Sequence, residues 1–126
     1  MAYKNRIQET TQTTGTGTLT LNGATTGYRR FNQFANNATL RYLLEEDGTG
    51  RWEIGIGTYN NNTLARTTLV ESSTGGRLNL ATGVHRISHV LTAEDLVQLQ
   101  GDVGQQISDL QGEITALKAS LYAYDY

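Results

Sequence analysis

The chain has 126 residues with 10 basic and 12 acidic side chains, a formal net charge of −2, and no cysteine. Binding to nucleic-acid phosphates requires a clustered basic face, so we expect no nucleic-acid partner. The absence of cysteine excludes disulfides and thiolate metal sites. No apolar run reaches the roughly 20 residues of a membrane span, and residues 1–20 lack the apolar centre of a signal peptide. We therefore expect folding in a cytoplasm and no membrane partner.

The hydrophobic pattern changes near Leu91 and divides the chain into two predicted domains. Residues 1–91 show short alternating runs separated by Gly and Asn, which indicates strands and tight turns. Residues 92–126 carry apolar side chains every three or four positions, which indicates a helix. We predict a β-rich module over 1–91 and an oligomerising helix with an aromatic tail over 92–126.

Alternation and turn residues place the strands of the first domain in a mainly β fold. Tyr28–Ala35 is predicted to be a loop or one helical turn that carries Phe31 and Phe34 inward. About six short strands predict a small antiparallel β-sandwich or sheet. The clearest strands are Thr18–Leu21, Leu40–Leu44, a run from Trp52, Thr63–Val70 and Val84–Leu91, and the clearest turns are Asp47–Gly50, Asn60–Asn62 and Ser72–Gly76.

Two glycines alternate with isoleucines in the run from Trp52. Gly55 and Gly57 leave one face of this strand nearly bare of side chains. Because glycine weakens a strand, we expect another backbone, a neighbouring subunit or a large aromatic ring to approach this face closely. Tyr59 and Trp52 are the aromatic side chains that we expect there.

The second domain begins with a capping sequence and continues as a heptad pattern. Thr92–Asp95 resembles a capping box with Thr92 as the N-cap. The apolar seam has one stutter between Val103 and Ile107 and is narrow, which favours self-association in a coiled coil of two or three chains. A helix packed on its own β-domain is the alternative. The predicted oligomer interface is Leu96, Leu99, Val103, Ile107, Leu110, Ile114, Leu117 and Leu121.

Catalytic and metal-binding patterns are weak, and we predict no enzyme, no metal and no cofactor. In a strand, His85 and His89 would lie about 13 Å apart, so we expect half-exposed residues and no shared ion. Glu45–Asp47 lacks the alternating oxygen ligands of a calcium loop and indicates a charged hairpin turn. Gly15–Gly17 has no following helix and indicates a threonine-rich loop. No serine lies in a nucleophile motif.

Part of the sequence resembles a module of tailed-bacteriophage virion proteins. The resemblance rests on Trp52–Thr68, Glu71–Gly76, Glu9–Thr11, Gly15–Leu21 and Gly27–Phe31, and it covers about residues 6–91. Such modules occur in tail-fibre and other structural proteins of podoviruses and siphoviruses, often at their N-terminus. The resemblance implies location in the virion and brings no catalytic residues. Because phage fibres are generally trimers, it favours a homotrimer.

These observations predict a trimeric fibre-like or tail adaptor protein that mediates attachment within the particle. Its partners would be other copies of itself and other phage structural proteins of tail or capsid, and it would be assembled in the bacterial host cytoplasm. A capsid decoration or cement protein on the phage head is one alternative, and a glycan-binding module is another. Only the helix and the tail follow the module, so we expect no separate receptor-binding domain. Tyr122, Tyr124 and Tyr126 alternate as in a strand, which predicts a docking tail, with a frayed end as the alternative.

Overall fold

The computed structural model describes residues 1–93 and 95. The described part is mainly β, with one six-stranded antiparallel sheet and a short 3₁₀ turn at Phe31–Gln33. In chain order the strands are β1 Gln8–Thr11, β2 Leu19–Thr20, β3 Ala38–Glu45, β4 Trp52–Asn60, β5 Thr63–Ser72 and β6 His85–His89.

The strand order in the sheet is β1-β6-β3-β4-β5-β2. Consecutive hairpins join β3 to β4 and β4 to β5, whereas β6 returns to the free side of β3. After β2 the chain crosses to β1, where Asn22 N donates to Thr10 O at 2.9 Å and Thr10 N donates to Gly23 O at 3.1 Å. These bonds link the two ends of the strand order, so the sheet of this module is nearly barrel-shaped.

The prediction of a mainly β, antiparallel fold is confirmed, and the module forms one curled sheet rather than a sandwich of two. The predicted hairpin turn at Asp47–Gly50 joins β3 and β4. Strand β1 was not predicted, because its inward positions are Glu9 and Thr11 and it therefore shows no apolar alternation. The last strand is shorter than the predicted Val84–Leu91.

The core lies on the concave face of the sheet. Phe31 and Phe34 are buried, at 0% and 4% exposure, which confirms the inward direction predicted for them. Burying an aliphatic or aromatic side chain of this kind contributes roughly 1.5–3 kcal/mol. The other buried apolar residues are Ile7, Leu19, Leu21, Leu40, Tyr42, Leu44, Tyr59, Leu64, Leu78, Leu80 and Ile87.

The bare face of β4 points into this core. A Cβ on Gly55 would lie 2.5 Å from Tyr42 Oη and 2.6 Å from the Thr68 carbonyl oxygen. The expected close approach is therefore confirmed, but the expected side chains were wrong. Trp52 faces the other side of the sheet, and Tyr59 is on the same strand and face, so neither lies above the glycines.

The chain divides into two units, Met1–Val90 and Leu91–Tyr126. In the second unit, Thr92 N donates to Asp95 Oδ2 at 3.0 Å, and Asp95 N donates to Thr92 Oγ1 at 3.4 Å. These reciprocal bonds are those of a capping box, with Asp in the place of the usual Glu or Gln. The predicted cap is confirmed.

Candidate functional site: a cleft beside the β3–β4 hairpin

Three carboxylates lie inside the module. Glu9, Glu46 and Glu53 are at most 4% exposed. A buried carboxylate is unfavourable unless hydrogen bonds and opposite charges satisfy it, so the partners of each side chain decide its role.

Glu53 forms the centre of a buried network with Arg66 and Tyr42. Arg66 donates from Nε and Nη2 to the two carboxylate oxygens at 2.9 and 2.6 Å, and Tyr42 Oη donates at 2.6 Å. Leu78 N donates the fourth hydrogen bond at 2.8 Å. Burial favours the neutral acid, but the hydrogen bonds from Arg66, Tyr42 and Leu78 hold the pKa of Glu53 below its ordinary value. Burial, and then the bond to Glu53, raise the pKa of Tyr42.

Glu9 holds two loops against β1. Its carboxylate accepts from Phe31 N at 2.7 Å and from Gly23 N at 2.9 Å. Arg30 Nε lies 3.5 Å from Glu9 Oε1, which balances the charge. The side chain of Arg30, which is 42% exposed, is therefore only partly solvated.

Glu46 fixes the turn between β3 and β4 from within. It accepts from Thr49 Oγ1 at 2.7 Å, from Arg51 Nε at 2.8 Å and from Ala81 N at 3.2 Å. The hydrogen bonds from Arg51 have the largest effect and, with those from Thr49 and Ala81, lower the pKa of Glu46 from 4.5 to about 2. The expected charged turn at Glu45–Asp47 therefore has its central carboxylate buried.

His85 holds the same turn from β6. Its Nδ1 accepts from Asp47 N at 3.0 Å, and its Nε2 lies 2.8 Å from Ala81 O. Because Nδ1 accepts, Nε2 carries the hydrogen of the neutral ring. His85 is 1% exposed, so the expectation of a half-exposed residue was wrong; the alternation of β6 places it inward beside Ile87.

His89 is half-buried, as expected. It packs edge-on against Phe34 with ring centroids 5.1 Å apart, and its Nδ1 lies 2.8 Å from Arg41 O. Among residues 1–93 and 95, no group of three or more His, Asp or Glu side chains is placed to hold a metal ion.

On the outer face of the sheet, three side chains form one row across neighbouring strands. Glu45 of β3 pairs in register with Trp52 of β4 on one side and with Arg86 of β6 on the other. Arg86 Nη2 lies 3.4 Å from Glu45 Oε2, and both side chains are well exposed. The indole of Trp52 is half-buried. This row is the floor of an open cleft.

The cleft has a volume of about 650 Å³. The hairpin turn, with Asp47, forms one wall; Val84, which is 47% exposed, and Leu43 add apolar surface. This site could not be predicted from the sequence, because its residues come from three strands and their meeting depends on the strand order. Trp52 was singled out only as a partner for the glycines.

The predicted oligomer interface and docking tail lie outside the described residues and stay predictions. They comprise Leu96, Leu99, Val103, Ile107, Leu110, Ile114, Leu117 and Leu121, and Tyr122, Tyr124 and Tyr126. Within the part of the chain that the structure describes, no helix has the length and hydropathy needed to cross a bilayer.

Comparison of the chain with protein-family models, with curated proteins and with solved structures gave no match.

Proposed function

We propose that this chain is a structural, non-enzymatic component of a phage virion, a trimeric fibre-like or tail adaptor protein. The observation that carries the proposal is the use of the buried charges. Glu9, Glu46 and Glu53 each bond to groups of their own module and hold its strands and turns in place. Buried charges that are used in this way hold the module in one fixed arrangement, which suits a structural role. The resemblance to phage structural modules supplies the biological setting.

The second support is the start of the C-terminal segment. The Thr92–Asp95 capping box lies at the point where the heptad pattern of the sequence starts, and such a box is typical of a helix N-terminus. A narrow seam of this kind is stabilised by partner helices, and each core side chain that becomes buried contributes roughly 1.5–3 kcal/mol. We propose that three copies join along this seam, and that the module supplies the surface that attaches to other virion proteins.

Light scattering on the full chain tests the assembly. We expect a trimer. In the variant Ile107→Asp/Leu110→Asp, two charges enter the proposed seam, and we expect a monomer. The matched control, Gln105→Asp/Ser108→Asp, adds the same charges off the seam and should stay trimeric. A monomeric wild-type chain would overturn the trimer and favour a helix packed on its own β-domain.

Labelling of phage particles with an antibody against the module tests the place in the virion. Gold particles at the tail support the adaptor, whereas gold on the head would replace it with a capsid decoration protein. Particles without label would refute a virion component. Deletion of residues 122–126 tests the docking tail, and normal incorporation of the shortened chain would exclude an anchoring role for its tyrosines.

A further inference from the structure

We propose that the cleft beside the β3–β4 hairpin binds a neutral saccharide. The proposal rests on the row formed by Arg86, Glu45 and Trp52 and on the walls above it. It does not depend on where in a virion the chain lies, and it can succeed or fail independently of the trimer.

The lining of the cleft is amphipathic in the way that a sugar ring is. Trp52, Leu43 and Val84 offer apolar surface, while Glu45 and Asp47 offer hydrogen-bond acceptors and Arg86 offers donors. A pyranose has an apolar face of C–H groups and a rim of hydroxyls that both donate and accept. Stacking of that face on the indole would leave the rim directed at the charged groups. The volume of about 650 Å³ lies within the range of small-molecule sites.

The charges of the cleft argue for an uncharged ligand. Arg51 is engaged by the buried Glu46, and Arg86 is balanced by Glu45. Asp47 uses its backbone N–H to bond His85. Within residues 1–93 and 95, no hydrogen bond or ion pair is formed by its exposed carboxylate. The remaining excess charge is therefore negative, which opposes a phosphate, a sulfate or a sialylated sugar and leaves Asp47 available to hydroxyl donors.

Hydrogen bonds within the module hold the cleft in shape before any ligand binds. Glu46 and His85 fix the turn that forms one wall. On the floor, Trp52 N donates to Ser73 Oγ at 3.0 Å, and Ser73 N donates to Trp52 O at 3.0 Å. A ligand that enters a site of this rigidity orders few additional side chains, and the ordering cost that opposes binding is correspondingly small.

Trp52 is the only tryptophan of the chain, so its fluorescence reports on the cleft alone. The full chain would be applied to an array of neutral and acidic glycans, and each hit would be titrated in solution while tryptophan emission is followed. We expect saturable binding of at least one neutral glycan, with a blue shift of the emission. Replacing the carboxylate in Asp47→Asn should weaken binding by about tenfold, the effect of one lost charge-assisted hydrogen bond.

Substitutions at Trp52 test whether its aromatic face forms part of the binding surface. Because the Trp52 variants carry no tryptophan, their binding would be measured by isothermal titration calorimetry with the glycan that wild type binds. Trp52→Ala should abolish binding, and Trp52→Phe, which keeps an aromatic face, should retain part of it. Tyr28→Ala removes an exposed aromatic that stacks on Arg6 elsewhere and should bind as wild type. An empty array, binding restricted to acidic glycans, or binding that survives Trp52→Ala would each overturn the proposal.

Discussion

Arg66 donates two parallel hydrogen bonds to the carboxylate of Glu53, from Nε at 2.9 Å and from Nη2 at 2.6 Å. The side chains of Arg66 and Glu53 are 1% and 0% exposed. Arg66 also donates to Leu78 O at 2.7 Å and to Gly15 O at 3.2 Å. One guanidinium thus connects β4 and β5 to two loops. Because a bidentate pair is directional, a slip of β5 against β4 would separate the charges inside the core.

We predict that Arg66→Met destabilises the module strongly, because Glu53 is left buried without its counter-charge. Losses of this kind are about 3–5 kcal/mol. The control is Arg86→Met, which breaks only the exposed contact with Glu45 and should cost less than about 1 kcal/mol. Urea unfolding at one fixed protein concentration gives both values. Equal losses for the two variants would contradict a special role for the buried pair.

The double variant Glu53→Leu/Arg66→Met separates the charge from the packing. With both charges removed, no group is left uncompensated, and we expect a smaller loss than in Arg66→Met alone. Tyr42 would lose its acceptor, so full recovery is not expected. A double variant less stable than the single one would show that packing rather than charge dominates.

Gly55→Ala should destabilise the module by about 1–3 kcal/mol, the usual effect of overpacking. The new Cβ would lie 2.6 Å from the Thr68 carbonyl, and a backbone atom cannot swing aside. Gly76→Ala is the matched control, since a Cβ there meets nothing within 4 Å. Thermal unfolding compares the two variants, and a Gly55→Ala protein as stable as Gly76→Ala would contradict the close approach.

Acid should weaken the β3–β4 turn through Glu46. Its pKa is lowered in the folded protein from 4.5 to about 2, so its contribution to stability is complete above pH 4.5 and is lost as the pH falls towards 2. Glu46→Gln removes this contribution. We therefore expect the Tm difference between wild type and Glu46→Gln to be largest at neutral pH and to shrink between pH 5 and 2. A difference that is independent of pH would refute the assignment.

Thr92→Ala should lower stability by about 0.5–2 kcal/mol, because the N–H of Asp95 loses its side-chain acceptor. Thr92→Ser keeps the hydroxyl and should remain close to wild type. Circular dichroism at the helix band, followed through a thermal scan, gives the comparison. If Ser and Ala behave alike, the hydroxyl does not cap the segment.

Alternation placed β3 and β4, and the turns at Asn60–Asn62 and Ser72–Gly76 on either side of β5 placed that strand. Alternation did not reveal β1, because its inward-facing Glu9 is polar and the strand therefore shows no alternation of apolar and polar residues. It also could not pair Glu53 with Arg66. Their approach depends on the β4–β5 register, which shifts between Ile54 and Gly55 and again between Ile56 and Gly57.

The cleft could not be predicted from the sequence for a related reason. Glu45 and Trp52 face each other across a hairpin that local sequence predicts, but Arg86 joins them only because β6 returns to the free side of β3. Long-range strand order is weakly encoded in short alternating segments. The seam and the tyrosine tail, by contrast, are predicted from local periodicity alone, and they lie outside the described residues.

The pairing of β1 with β6 has a consequence for synthesis. Glu9 lies opposite Ile87 in the sheet. The first strand of the module can therefore pair only after nearly all of the module has been synthesised. Such distant contacts form late. Residues 92–126 leave the ribosome after β6, and each copy can therefore close its own sheet before its C-terminal segment is free to meet another chain. For the proposed trimer, the order of translation thus separates the folding of each module from the assembly of the copies.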